Sequence, residues 1–200
     1  MSHSLQRFRN PVYPLAMFLF SDGWTRPLQA NERIAFGDIV RSNGGAGGIL
    51  RLADGSHVEV RSQSELLLER AADGVRIRLK HGGLLVNAAK QRDGHLYVQT
   101  RDFTVSVVGT VFLVNAEEAG SRVAVLEGEV RVQQGATDQK LRPGQQVATS
   151  PLMTAPTLPQ EIAWSLDVVS HRLRRGHATG ACDRRLAGGS RVVWLSLRTW

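Results

Sequence analysis

Apolar and polar residues alternate in short runs from residue 12 to residue 150. Val, Ile, Leu and Phe interleave with Arg, Glu, Gln and Ser, and a Gly, Asp-Gly or Asn-Gly interrupts them roughly every eight to twelve residues. A period of two is what a half-buried strand requires, because successive side chains point to opposite faces. No i, i+3, i+4, i+7 pattern persists for three turns before residue 159. The pattern predicts an all-β fold. The stretch that most resembles a helix is "QSELLLERAA" (63–72). The Ala71-Ala72-Asp73-Gly74 sequence stops it, so it reads as an edge strand. "PLAMFLF" (14–20) reads as a buried first strand. It follows Arg7 and Arg9 as a signal-peptide core would, but it opens with Pro14 and no small-residue cleavage pattern follows.

Three phrases share one form: "IRLKHGGLLV" (77–86), "VSVVGTVFLV" (105–114) and "VAVLEGEVRV" (123–132). Each sets two alternating arms around a glycine. In a two-residue hairpin, cross-strand partners differ by an odd number and share a face. Leu79/Leu84, Val107/Phe112 and Val125/Val130 each differ by five, which places the loops at His81-Gly82, Gly109-Thr110 and Glu127-Gly128. Glycine suits a turn needing positive φ, where a β-branched residue is strained. "LRLADGSHVEV" (50–60) has the other parity: Leu52 and Val58 differ by six, giving a three-residue loop, Asp54-Gly55-Ser56, with a bulge. Four such units predict an antiparallel meander of short glycine-hinged strands, or a rolled or solenoid-like variant in which the turns become corners. Their spacing is too irregular for a strict repeat.

The remaining punctuation fits this scheme. "SNGGAGG" (42–48) and "RDGH" (92–95) join strands, and "LRPGQQV" (141–147) puts Pro143 and Gly144 in a tight turn before a last strand. A Pro-rich break follows (150–159). In "QEIAWSLDVVSHRLRR" (160–175), Ile162, Leu166, Val169 and Leu173 sit at helical steps, predicting a short C-terminal helix. The expected organisation is a lead-in over 1–31 that includes the first strand, a β domain over 32–150, a linker over 151–159, and a helix with a poorly ordered basic tail over 160–200.

Charge changes the picture at one end only. The net charge is +7, but residues 171–200 hold seven Arg and one acid, Asp183, and the rest is close to balanced. The main body therefore has no bias toward a polyanion. The tail is Arg-, Gly- and Trp-rich without period after Asp167, the composition a shifted reading frame produces. One cysteine, Cys182, excludes an internal disulfide and any multi-cysteine metal site. No stretch reaches the ~18 apolar residues that span a bilayer.

Candidate chemistry is sparse. "NGGAGG" (43–48) lacks the following helix and the Lys-Ser/Thr of a phosphate loop, so it reads as a turn. Asp54-Gly55-Ser56 and Gly109-Thr110 lack the Gly-x-Ser-x-Gly form of a nucleophile elbow, and Asp54 is expected to accept N–H groups of its own turn. His57, His81 and His95 share no short spacing, and His171, His177 and Cys182 match no zinc pattern. Asp22, Asp38, Asp54 and Asp93 each adjoin a turn or strand start, and Glu127 and Glu129 flank Gly128, where turn chemistry accounts for them. No catalytic, cofactor-binding or metal-ligating residue is assigned, and no cofactor is expected.

Taken in order, "LRLADGSHVEVRSQSEL", "IRLKHGGLLV", "LYVQTRDFTVSVVGTVFLV", "VAVLEGEVRV" and "LRPGQQV" resemble the FecR domain over about residues 32–150. The most specific pieces are Asp54, Gly55 and Ser56; Val107, Gly109, Thr110, Phe112 and Val114; and the Leu126–Val130 phrase around Gly128. With Gly82 and Gly144, these carry over as fold-determining positions only. The resemblance implies an all-β, non-catalytic sensing and docking module in the periplasm. Such modules relay a signal from a TonB-dependent outer-membrane transporter to an extracytoplasmic-function sigma factor. The chain departs from the full regulator in showing no N-terminal anti-sigma helices, no membrane span and no small transporter-contacting domain after the β unit. A stand-alone envelope protein-binding domain is therefore the alternative. An enzyme on a β scaffold would need His and carboxylates converging in a cleft. A nucleic-acid binder would act through residues 171–200 and lose binding on their deletion.

Overall fold

The computed structural model describes residues 17–21, 24–29, 31–44, 47–90, 94–153 and 156–165, and the backbone of 194–197. In chain order its strands are β1 (Met17–Ser21), β2 (Trp24–Pro27), β3 (Arg33–Ile34), β4 (Ile39–Ser42), β5 (Gly48–Arg51), β6 (His57–Val60), β7 (Glu65–Ala71) and β8 (Gly74–Asn87). They continue with β9 (His95–Gln99), β10 (Thr104–Val107), β11 (Val111–Glu117), β12 (Gly120–Glu127), β13 (Val130–Gln134), β14 (Thr137–Leu141), β15 (Gln146–Ala148) and β16 (Trp194–Leu197). One short helix, α1 (Leu158–Glu161), is present among the described residues. The all-β expectation holds.

The strands form two layers. The first runs β2-β1-β4-β7-β8-β9-β10-β13-β14. The second runs β15-β12-β11-β8-β6-β5-β16-β3. Strand β8 belongs to both: residues 74–81 pair with β7 in the first layer, and residues 82–87 pair with β11 in the second. Pairing is antiparallel except between β8 and β9 and where β16 meets β5 and β3.

Between the layers lies one apolar interior, built by the period-two pattern. Leu66 and Leu68, Ile77 and Leu79, Leu96 and Val98, Val105 and Val107, and Val130 and Val132 come from the first layer; Val58 and Val60, Leu84 and Val86, Phe112 and Val114, and Val123 and Val125 come from the second. All are buried. Removing this many apolar side chains from water is the main force holding the layers together.

Three expected hairpins are instead corners. Leu79 pairs with Leu66, while Leu84 pairs with Val60 and Val114. The arms around His81-Gly82 therefore do not fold back on each other. The same holds at Gly109-Thr110, where β10 pairs with β9 and β13 and β11 with β8 and β12. It holds again at Glu127-Gly128, between β12 and β13. Gly82, Gly109 and Gly128 have φ of 98°, 67° and 81°. Each bend hands the chain from one layer to the other. A straight strand would turn residues five apart to opposite faces; the bend turns both inward. Odd spacing thus identified the shared interior, and the rolled alternative is the one realised.

The tight hairpins lie elsewhere. Ala71 pairs with Gly74, Glu117 with Gly120 and Gln134 with Thr137. The Asp54 hairpin is real, but its register differs from expectation: Leu50, not Leu52, faces Val58, and the Leu52 N–H bonds to the Ser56 carbonyl. The loop is thus Ala53-Asp54-Gly55. Strand β7 is not an edge, because β4 and β8 flank it. At Arg142–Gln145 the expected Pro-Gly turn closes with a 2.9 Å bond from the Gln145 N–H to the Arg142 carbonyl, with Gly144 at φ 84°. Of the first-strand reading, residues 14–16 lie outside the described residues, and Met17 and Leu19 are buried. Helix α1 ends at Glu161; the expected helix beyond residue 165, and the tail apart from β16, also lie outside the described residues.

Candidate functional site

The outward face of the second layer is itself partly apolar. Leu85, Val111, Leu113 and Ala124 form a second buried cluster, on the parity opposite to the interior set. Leu158, Ile162 and Trp164 pack onto it. The segment 156–165 therefore lies across β8, β11 and β12 as a strap. Its helical turn begins after Thr157, whose N–H bonds to Gln160 Oε1 at 3.1 Å, and Pro159 occupies the first turn, where its missing N–H costs nothing.

Buried polar groups fix the strap. Glu161 accepts from Arg122 and from Asn115 Nδ2, and all three are buried. Ser165 Oγ donates to Glu59 Oε1 at 3.0 Å, again between buried residues. Burial pushes the Glu161 carboxyl above its ordinary value, against the pull of Arg122, Asn115 and Arg61. A charge pair so enclosed contributes little net stability, because desolvation offsets the attraction, but losing one member is costly. Its effect here is to hold one register of strap on sheet.

This face was legible in one signal that alternation alone passes over. "VFLV" (111–114) and "LLV" (84–86) are continuous apolar runs, as expected of strands covered on both faces. Arg122, Asn115, Glu59 and Glu161 carry no motif, and they meet only through pairing across distant strands.

The positions expected to determine the fold make contacts within and between turns. Asp54 accepts from the Ser56 N–H and Oγ, both at 2.8 Å, and Ser56 Oγ accepts from the Ala89 N–H at 3.0 Å. The Asp-Gly-Ser turn thereby ties itself to the chain after β8. Thr110 Oγ1 donates to the Glu129 carbonyl at 3.0 Å, linking the corner at Gly109 to the corner at Gly128. Val107, Phe112 and Val114 are interior side chains.

The candidate ionisable residues are dispersed. His81 bonds to the Gln63 carbonyl, and His95 to Asp73, which also accepts from Tyr97. His57 lies on β6. The hydrogen bonds of His95 and Tyr97 hold the Asp73 carboxyl below its ordinary value. Asp38 accepts from the Ala35 N–H in its own turn, and Glu129 meets Lys140 and Arg142. Asp102 accepts from Ser121 and Thr149, and the Ser121 bond leads in holding its carboxyl low. Among the described residues no three His, Cys, Asp or Glu side chains are placed to hold a metal ion. Asp22, Asp93, His171, His177 and Cys182 lie outside the described residues. No helix among the described residues is long and apolar enough to cross a membrane.

Residues 38–131 match the family model described as FecR protein. Two crystal structures of a protein assigned as an anti-sigma factor from Parabacteroides distasonis ATCC 8503 share the fold, with TM-scores of 0.56 and 0.57. Each is 22% identical and covers 68% of this chain and 73% of its own. None of the curated proteins matches the chain. The match takes in the Asp54 turn and all three glycine corners; "LRPGQQV" lies beyond it. The FecR resemblance read from these phrases holds over residues 38–131.

Proposed function

We propose, from the FecR character of residues 38–131, that this chain is a non-catalytic sensing and docking module of the cell envelope. It would receive a protein signal, of the kind a TonB-dependent transporter delivers, and relay it toward an extracytoplasmic-function sigma factor. FecR regulators work by contact between proteins, and this chain's chemistry is of the same kind. The single observation that carries the reading is the use of its buried polar groups. Glu161, Arg122, Asn115, Glu59 and Ser165 join a strap to a sheet, instead of converging on a solvent-filled cleft as an acid, base and nucleophile do. The strap couples the roll to the chain beyond it, so a partner's contact on the roll can bias how firmly the strap is held.

The test uses the full chain and the periplasmic signalling domain of a TonB-dependent transporter. Saturable binding by titration calorimetry, and loss of sigma-dependent transcription when the gene is deleted, are the expected outcomes. Binding to another envelope protein with transcription unchanged would favour the stand-alone module and remove the sigma-factor role. Turnover of a substrate by the purified chain would overturn the reading altogether.

A further inference from the structure

Strand β8 continues in the first layer for three residues after its neighbour β9 ends. Pairing with β9 stops at Arg78 and Gln99, and pairing with β11 begins at Gly82 and Ala116. Over residues 79–81, β8 has β7 on one side, and no strand among the described residues pairs with its other side. A cleft of about 650 Å³ adjoins this stretch, lined by Ile39, Leu66, Leu67 and Leu79 together with Glu65, Arg78, Lys80, Gln99, Thr100 and Arg101.

Charge within the cleft is sorted by depth. The side chains of Arg78, Lys80 and Arg101 are 51%, 70% and 67% exposed. The carboxylates that meet them, Glu69, Glu65 and Asp102, are 27%, 10% and 21% exposed. Glu65 is the only acid in the lining, and Arg41 at 2.7 Å and Lys80 at 3.1 Å already hold it. Partial burial alone would raise its carboxyl, but the hydrogen bonds and charges of Arg41 and Lys80 overcome this and leave it below its ordinary value. It therefore stays ionised and anchors the cations from below. What solvent meets at the rim is the exposed cations of these pairs beside the half-buried Ile39 and Leu67, while the side chains of Leu66 and Leu79 face the interior.

We propose that this cleft binds an extended, acidic peptide segment of a partner protein. The segment would add to the open side of β8 at residues 79–81, its carboxylates meeting Lys80, Arg101 and Arg78. Strand addition at an exposed edge provides main-chain bonds, and the flanking side chains provide selectivity. A small anion would use the charges and leave the strand edge unused. The inference rests on the docking reading above and names the surface and the partner chemistry.

The test is fluorescence anisotropy of the full chain with two labelled probes, Glu-Val-Glu-Val-Glu-Val and Lys-Val-Lys-Val-Lys-Val. Saturable binding of the acidic probe, weakening as salt screens the rim, is expected, with none of the basic one. The Lys80→Glu/Arg101→Glu variant should bind the acidic probe about tenfold or more weakly. The reversal also sets a glutamate beside Glu65 and Asp102; if its melting curve falls below that of the parent, Lys80→Gln/Arg101→Gln serves, with the same loss expected in smaller measure. Equal affinity of parent and variants for the acidic probe would overturn the proposal, as would free glutamate competing as well as the hexapeptide. If the transporter domain binds parent and variant alike, the cleft is wrong while the docking reading stands.

Discussion

Replacing Gly82 with alanine tests the corner on which the two layers depend. Gly82 sits at φ 98°, a conformation that costs an L-residue roughly 1–2 kcal/mol. There is also no room: a Cβ would lie 2.1 Å from Ser64 Oγ and 2.5 Å from Ser64 Cα. The second contact is backbone, so rotating the serine does not relieve it. Ser64 is buried; its Oγ accepts from the Gly83 N–H at 3.0 Å and its N–H donates to Ser42 Oγ at 2.9 Å. Displacing it breaks at least one of these bonds and leaves a buried donor short of a partner, at about 1–3 kcal/mol. Alanine also stiffens the unfolded chain, which returns ~0.5 kcal/mol. The net expectation for Gly82→Ala is a loss of about 2–4 kcal/mol. Gly144→Ala is the control. Its φ is 84° and a Cβ there meets nothing within 4 Å, so only the conformational strain remains, about 1 kcal/mol after the same offset. For a chain of this size ~1 kcal/mol moves the melting temperature by about 2–4 °C. Thermal unfolding followed by circular dichroism should place Gly82→Ala roughly 5–12 °C below the parent, and Gly144→Ala only a few degrees below. Equal shifts for the two variants would refute the argument that close approach of β8 to Ser64 sets this corner.

Gly109→Val should also destabilise: φ there is 67°, and the new Cβ meets Lys90 Cγ at 2.4 Å. Because that neighbour is a flexible side chain, the expected loss is the strain of a β-branched residue, about 2 kcal/mol by chemical denaturation; an unchanged midpoint would show the positive φ to be dispensable. Glu161→Ala removes the carboxylate facing Arg122 and should cost about 3 kcal/mol. Few side chains hold the strap, so hydrogen exchange should show residues 156–165 opening while the roll stays protected; uniform loss of protection would place the strap inside the cooperative unit. With its folded pKa above the ordinary 4.5, Glu161 binds its proton more tightly in the fold. Strap protection should therefore be greatest at low pH and fall as pH rises from 4.5 through the folded value, a dependence that Glu161→Gln abolishes. Glu65 has the opposite sign: held below 4.5, it contributes stability above that pH and loses it as pH falls through its folded value. Arg41→Met should move the Glu65 carboxyl resonance to titrate at higher pH; no change would assign the lowering to Lys80 alone.

How far the fold could be read from residues alone is clearest at the three glycine phrases. The spacing of Leu79 and Leu84, or of Val107 and Phe112, requires both members to face the same interior. A hairpin and a corner between layers satisfy that requirement equally. Parity reports which face a residue takes and says nothing about which strand lies alongside. The tight hairpins at Ala72-Asp73 and Glu118-Ala119 lie between the units that the glycines advertise, because a two-residue turn has several solutions while a corner approached by backbone has only glycine. Gly82 against Ser64 Cα and Gly128, whose Cβ would lie 3.1 Å from the Gly109 carbonyl oxygen, are such approaches. The strap and the cleft were less legible, for a related reason. Glu161 meets Asn115 and Arg122 across 46 and 39 residues, and Ser165 meets Glu59 across 106; no local pattern links them. What the chain does display locally is the doubled apolar character of Val111–Val114 and Leu84–Val86. A strand wet on one face has no use for leucine on both. Those two runs therefore required a cover on the outer face of the second layer before any cover was identified, and segment 156–165, with Leu158, Ile162 and Trp164 at its contact, supplies it.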